Sequence, residues 1–267
     1  MKSVQVVAAE SVTELGEVAG KVLVAGSHGG VIAAYLGAKA GVHALVLNDA
    51  GVGKDRAGIA GLAYLEEIGM AAAAVDCMSA RVGDGADMLA RGVISHANAF
   101  AALRGVVAGQ ACRDAAERMA GASPPHSGPP PYAEGRWRVA EGSPEVWALD
   151  SIGRIEPQDA GRILVIGSHG ALHGGRPESA LPVEAAAAVF NDAGVGADRI
   201  GISRLPVLAA RGIPAATVDC VSARIGDGRS LWESGLISHL NAAASHMGAV
   251  RGMRVQEFVG LLVTSLR

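Results

Sequence analysis

A chain of 267 residues is long enough for one large domain or two of ordinary size, each with its own core. A formal charge of -3 supplies no basic face to displace counterions, so nucleic acid is not an expected partner. Cys77, Cys112 and Cys220 form no CxxC pair and are too few for a disulfide framework. No uninterrupted apolar segment approaches the roughly 20 residues that span a bilayer. A cytoplasmic chain outside the membrane is therefore expected. Half the residues are hydrophobic but only 3% are aromatic, so Ala, Val, Leu and Ile must pack closely around the 37 glycines.

In chain order, Val4 to Ala9 reads as an opening strand. Val22 to Ala25 is a second apolar run, ending in Gly26-Ser27-His28-Gly29-Gly30, and Val31 to Ala40 is predicted as a helix. Ala44 to Leu47 leads into Asn48-Asp49-Ala50-Gly51. From Gly58 to Ile68, Ile59, Leu62, Leu65 and Ile68 recur on one helical face. Ala71 to Val75 is another buried strand, leading to Asp76-Cys77, Ser79, Arg81 and Asp84. Ala86 to Leu103, which contains His96 and Asn98, is predicted as one or two helices after the glycine turn. Ser123 to Gly135 is too rich in proline and glycine for a regular element and predicts a linker.

The pattern then recurs. Lys21 to Gly29, KVLVAGSHG, matches Arg162 to Gly170, RILVIGSHG, and Val146 to Leu149 stands opposite Val4 to Ala9. NDAGVG begins at Asn48 and again at Asn191; VDCMSARVGDG from Val75 answers VDCVSARIGDG from Val218; GVISHAN from Gly92 answers GLISHLN from Gly235. From Asn48 to Asn98 the offset is constant at 143 residues, with more than half the aligned positions identical. Gly174, Gly175, Pro177 and Pro182 interrupt the stretch that matches the first predicted helix. The reading is an α/β chain made of two pseudo-symmetric doubly wound lobes with mostly parallel sheets, from an internal duplication. Its parts are a first repeat at 1–122, a linker at 123–144 and a second repeat at 145–267.

Polar residues gather at the carboxyl ends of the predicted strands, where open parallel sheets place ligands. The candidate catalytic residues are Ser27, His28, Asp49, Asp76, Cys77 and His96, with Ser168, His169, Asp192, Asp219, Cys220 and His239 at matching positions. Gly29, Asn48, Ser79, Arg81 and Asn98 are candidates for binding substrate, as are Asn191, Ser222, Arg224 and Asn241. Packing tolerates exchange among Val, Ile, Leu and Met, as Val82 against Ile225 shows. The unchanged set is polar, and its burial is costly without specific partners.

Several chemistries fit these residues. The Gly-Ser-His-Gly-Gly turn can offer backbone N–H groups to an anion, or its glycines can serve only close helix packing. Ala25-Gly26-Ser27-His28-Gly29 also resembles the nucleophile elbow of α/β-hydrolases. Asn48-Asp49-Ala50-Gly51 resembles the Asn-Asp-Asp-Gly metal motif of survival-protein phosphatases, but Ala50 stands where the second carboxylate belongs, so no metal is assigned. The placement of Cys77 and Cys220 resembles the paired cysteines of aspartate/glutamate racemases in arrangement alone. The two arginines suit a substrate carboxylate, and the two histidines suit proton transfer near neutral pH.

The leading expectation is a cofactor-independent hydrolase of a small anionic amide, lactam or ester. In that reading Ser27 is the nucleophile or water-binding group, His28 or His96 the proton carrier, Asp49 or Asp76 the orienting carboxylate and Arg81 the clamp. One alternative is a two-base isomerase, racemase or lyase using paired Cys or Asp. Another is a non-catalytic small-ligand-binding protein. Helices rich in Ala and Gly also lead to the expectation of a homo-oligomer.

Overall fold

The computed structural model describes residues 4–265. The chain divides into two compact units. The first comprises residues 1–52, 56–133 and 196–198; the second comprises residues 53–55, 134–195 and 199–267. Both are mixed α/β structures with mostly parallel sheets, one of five strands and one of six.

In the first unit β1 (Val6–Ala9), β2 (Val22–His28), β3 (Ala44–Asn48) and β4 (Ala72–Val75) are parallel. A fifth strand, β5 (Ile94–Ala97), closes the sheet antiparallel to β4. Alternation along the strands sends Leu23, Leu45 and Leu47 to one face, where they meet α1 (Val31–Lys39) and α2 (Ala60–Glu66). Val22, Val24, Val46 and Val75 face the other way, toward α3 (Gly85–Arg91), α4 (Ala99–Ala102) and α5 (Cys112–Met119). Ile59, Leu62, Leu65 and Ile68 are all buried, as their spacing predicts.

The second unit opens with β6 (Arg136–Ala140), antiparallel to β7 (Val146–Leu149). Then β8 (Ile163–His169), β9 (Ala187–Asn191) and β10 (Ala215–Val218) run parallel to β7, and β11 (Ile237–Leu240) is antiparallel. Leu149, Leu164, Ile166 and Phe190 pack on α6 (Arg204–Ala210). The opposite face packs on α7 (Gly228–Ser234), α8 (Ala242–His246) and α9 (Val255–Ser265). Between β8 and β9 lie only short 3-10 turns at His173–Gly175 and Pro177–Ser179, where glycine and proline forbid a long helix. Among the described residues, no helix is long and apolar enough to cross a membrane.

Three expectations change. The stretch from Ala86 to Leu103 holds a strand between two short helices, because Ile94 to Ala97 finds the free edge of β4. Strand β6 lies inside the stretch assigned to the linker, where Arg136 and Trp137 pair with Leu149 and Ala148. Strand order runs in sequence across each sheet with no reversal, so neither sheet has the switch point of a doubly wound fold. The polar loops are instead gathered where an antiparallel edge strand adjoins the last parallel one.

Candidate functional site

The serine and histidine of the glycine turn serve the scaffold. Ser27 Oγ accepts from Val12 N at 3.0 Å and lies 3.4 Å from Ser11 Oγ, pinning the β1–β2 connection. Ser168 Oγ likewise accepts from Ile152 N at 2.9 Å. His28 Nδ1 accepts from Gly30 N at 3.1 Å, and burial pulls the imidazole down to about 4, so it is neutral at physiological pH. His169 Nδ1 accepts from Ala171 N at 3.3 Å. Gly29 N donates to Asn48 O, and a Cβ on Gly29 would meet Gly58 O at 2.4 Å. Gly29 N and Gly30 N are thus committed to the fold and are not offered to an anion.

Asn98 is equally committed. Its Oδ1 accepts from Ala72 N and Ala101 N, and its Nδ2 donates to Leu62 O and Met70 O. Asn241 makes the same four bonds, to Ala215, Ala244, Leu205 and Ile213. Both amide protons are used, so neither side chain retains a donor for substrate. Asn48 Oδ1 accepts from Ala50 N and Asn191 Oδ1 from Ala193 N, each shaping its own turn. Ser79 donates to Asp76 O and accepts from Val93 N; Ser222 does the same with Asp219 O and Leu236 N. Arg81 Nε donates to Asp198 Oδ2 at 2.8 Å within the first unit. Within the second, Arg224 pairs with Asp227 and Asp55. Both arginines expected to clamp substrate are thus engaged by carboxylates.

A second set converges. Asp49 follows β3, and Asp76 and Cys77 follow the adjacent β4. Their carboxylate and sulfur atoms all lie within 4.8 Å of one another, as do those of Asp192, Asp219 and Cys220 in the second unit. Asp49 Oδ1 accepts from Gly51 N and Cys77 N, each at 3.0 Å, and the Cys77 thiol donates to the same carboxylate. Asp192 Oδ1 accepts from Gly194 N and Cys220 N, and the Cys220 thiol donates to it. Burial first, then the neighbouring carboxylates, push each thiol up to about 12. These cysteines therefore hold their protons at neutral pH and are poor nucleophiles. Two carboxylates and one sulfur form a minimal donor set for a divalent ion, but ligation would require loss of the thiol proton.

The backbone around each cluster is strained. Ala50, Val52, Asp55 and Arg56 have φ of 50°, 62°, 53° and 58°, and Ala193, Val195, Asp198 and Arg199 repeat this at 50°, 63°, 55° and 57°. A side chain in this left-handed region costs roughly 1–2 kcal/mol, and a β-branched valine there is a true outlier. Such strain is held where a site needs it and the surrounding structure enforces it.

In the second unit the cluster extends onto β11. His239 Nδ1 lies 3.3 Å from Ser238 Oγ, which donates to Thr217 O at 3.2 Å and also acts to lower the Asp192 carboxyl. Thr217 Oγ1 approaches Ser238 Oγ at 3.1 Å. Burial raises the Asp192 carboxyl above its ordinary value despite the hydrogen bonds it receives. Burial, followed by Arg251, lowers the His239 imidazole, with Asp192 opposing and Arg199 adding to the fall. His239 and Ser238 thus border the Asp192–Cys220 pair in the second unit. In the first unit His96 Nδ1 is 3.1 Å from Ser95 Oγ, and Ser95 donates to Ala74 O.

Strand order separates the residues proposed for a serine hydrolase. Ser27 is on β2 and His96 on β5, three strand spacings away, which is roughly 14 Å. Ser238 and Thr217 lie outside the candidate set read from sequence. Ser238 has a signal there, since Ser-His is shared by both repeats; Thr217 has none, because Ala74 occupies the matching position.

Comparison with protein families, curated proteins and solved structures finds no match.

Proposed function

We propose that this chain is an enzyme that moves protons on a small anionic substrate, of the isomerase or lyase type, with its working site in the second unit. The observation that carries the reading is the convergence of Asp192, Asp219 and Cys220 within 4.8 Å, bordered by Ser238 and by His239, whose Nδ1 lies 3.3 Å from Ser238 Oγ. With the Ser238 proton directed to Thr217 O or, in the relay, to Asp192, its oxygen accepts from Nδ1–H of His239, which leaves Nε2 as the base. Nε2 takes a proton from carbon, and the Cys220 thiol delivers one to the carbanion. The thiolate left behind regains its proton by relay, from imidazolium to hydroxyl to carboxyl to sulfur. One proton enters and one leaves; the relay ends with the imidazole protonated on Nε2 and the Ser238 proton turned toward Nδ1, and exchange of the imidazole proton through water with rotation of the hydroxyl restores the starting state.

A serine hydrolase has less support, because Ser27 is bound to Val12 N and His28 to Gly30 N. We also read the two units as products of one duplication that later diverged. Constant spacing from Asn48 to Asn98 and from Asn191 to Asn241 supports this, as does the matched run of left-handed residues in both loops.

The test is proton exchange in deuterated water over a panel of small hydroxy-, amino- and keto-acids, followed by proton NMR. Exchange at carbon is expected for at least one acid, with loss in Cys220→Ser and His239→Gln and retention in Ser27→Ala. Exchange that survives both of the first two substitutions, or turnover that depends on Ser27, overturns the reading.

A further inference from the structure

Each unit sets two carboxylates and a thiol together at the ends of adjacent strands. The carboxylate oxygens of Asp49 and Asp76 and the Cys77 sulfur lie within 4.8 Å of one another, and those of Asp192, Asp219 and Cys220 repeat the arrangement. A tetrahedral zinc ion, with Zn–S of about 2.3 Å and Zn–O of about 2.0–2.2 Å, sets its donors roughly 3.5 Å apart. Small side-chain rotations would therefore close either trio on one ion.

The charge of each trio is uncompensated. Asp49 and Asp192 are each 4% exposed, and among the described residues no lysine or arginine forms an ion pair with either of them, or with Asp76 or Asp219. Asp159 shows the contrast: at 0% exposure it is held by Arg136 and Arg162, at 2.7 and 2.8 Å. A buried carboxylate without a counter-charge is costly, so each trio leaves a place for a cation that the chain itself does not fill. Asp76 and Asp219 are only partly buried, which gives an ion a way in.

Main-chain N–H groups fix one oxygen of every carboxylate. Gly51 N and Cys77 N donate to Asp49 Oδ1 and Met78 N to Asp76 Oδ1; Gly194 N, Cys220 N and Val221 N do the same for the counterparts. Outer hydrogen bonds of this kind orient metal ligands. Two oxygens and a sulfur suit zinc rather than magnesium, which takes oxygen donors and keeps its waters. Cys112, as buried as the other two cysteines, belongs to no such group among the described residues.

We propose that each unit binds one divalent ion of the zinc type, through Asp49, Asp76 and Cys77 in the first and through Asp192, Asp219 and Cys220 in the second. Binding breaks the S–H bond, forms a metal–sulfur bond and releases the proton to water, with no change of oxidation state. Three protein donors leave the fourth tetrahedral position to water. In the second unit the ion takes the place of the thiol proton; resting on the proton-transfer reading, this makes zinc an inhibitor of that site.

Cobalt(II) is the probe on the full-length protein, because a cobalt–thiolate bond gives a charge-transfer band in the near ultraviolet that zinc removes by competition and magnesium does not. Two ions per chain are expected, with one in Cys77→Ser, one in Cys220→Ser and two in Cys112→Ser. Asp76→Asn and Asp219→Asn keep the thiols and the shape, and each should weaken one site by at least about tenfold. A dispersed amide spectrum checks the fold of every variant. No band at millimolar cobalt, a band that requires Cys112, a single ion per chain, or undiminished affinity in both asparagine variants overturns the proposal. Carbon exchange should be lost at saturating zinc and return with a chelator. Exchange that persists with both ions bound leaves the metal sites in place and removes Cys220 from the proton-transfer reading; exchange by a protein that binds no cobalt does the reverse.

Discussion

The first and second units contain the same carboxylates, thiol and histidine at the ends of equivalent strands, yet their hydrogen bonds diverge one residue away. In the second unit the Thr217 hydroxyl approaches Ser238, and Ser238 helps hold the Asp192 carboxyl down against its burial. Each serine also contacts the carbonyl opposite, Ser95 with Ala74 O at 3.3 Å and Ser238 with Thr217 O at 3.2 Å, but Ala74 has no hydroxyl to offer. The Arg251 charge adds to the lowering of the His239 imidazole in one unit, and Ala108 stands at the matching position in the other. The comparison teaches that an unchanged set of polar residues is not an unchanged site. A path for protons depends on which neighbour directs each hydroxyl.

The largest expected effect tests that asymmetry directly. His239→Gln should lower carbon exchange by about 10³-fold, the scale of removing a general base, while His96→Gln should change it by less than about threefold. Comparable losses in the two variants would make the units equivalent and break the comparison.

Next in size is a scaffold effect that should not distinguish the units. Asn98→Ala and Asn241→Ala each remove a buried side chain making four hydrogen bonds and leave main-chain groups without partners. Each should destabilise its unit by about 3 kcal/mol, read by urea denaturation. A pronounced difference between the two would show that these asparagines do more than hold their loops.

His28 gives an effect that depends on pH. Its imidazole has a folded value near 4 against an ordinary 6.5, so the unfolded chain binds the proton more readily. Stability is fully present above 6.5 and declines as pH falls toward 4, by about 2 kcal/mol at pH 5. His28→Asn keeps an acceptor for Gly30 N and should flatten the dependence between pH 7 and 5 by that amount. An unchanged slope in urea melts would mean that His28 is not held neutral.

Much of the fold is legible in the residues because it rests on periodicity. Ile59, Leu62, Leu65 and Ile68 announce the buried face of α2, and the apolar runs before Gly26, Asn48 and Asp76 mark three parallel strands. Strand β5 is illegible because Ile-Ser-His-Ala has one fully apolar position facing the core and gains its identity from the edge of β4, a tertiary partner. The candidate site is half legible. Repetition marks Asp192, Asp219, Cys220 and His239, but it marks Ser27, Asn98 and Asn241 as strongly, since buried scaffold polar groups are as intolerant of change as reacting ones. Thr217 is invisible to any comparison of the repeats, because what it contributes is a difference.

That difference yields the smallest and sharpest effect. Thr217 is completely buried, opposite His239 in the β10–β11 register, and its hydroxyl is the group that can donate to Ser238 Oγ and leave the Ser238 proton for Asp192. Thr217→Val keeps the shape and removes the hydroxyl. The Ser238 proton, which already reaches the Thr217 carbonyl at 3.2 Å, is then held there with no second hydroxyl to redirect it, as Ser95 is on Ala74. Carbon exchange should fall about tenfold, equivalent to about 1.4 kcal/mol, with substrate binding unchanged because Thr217 is buried away from substrate. A loss confined to KM, or none at all, would mean that the path does not run through Ser238. Restoring exchange in Thr217→Ser, which returns the hydroxyl without the methyl group, separates this directing role from simple packing.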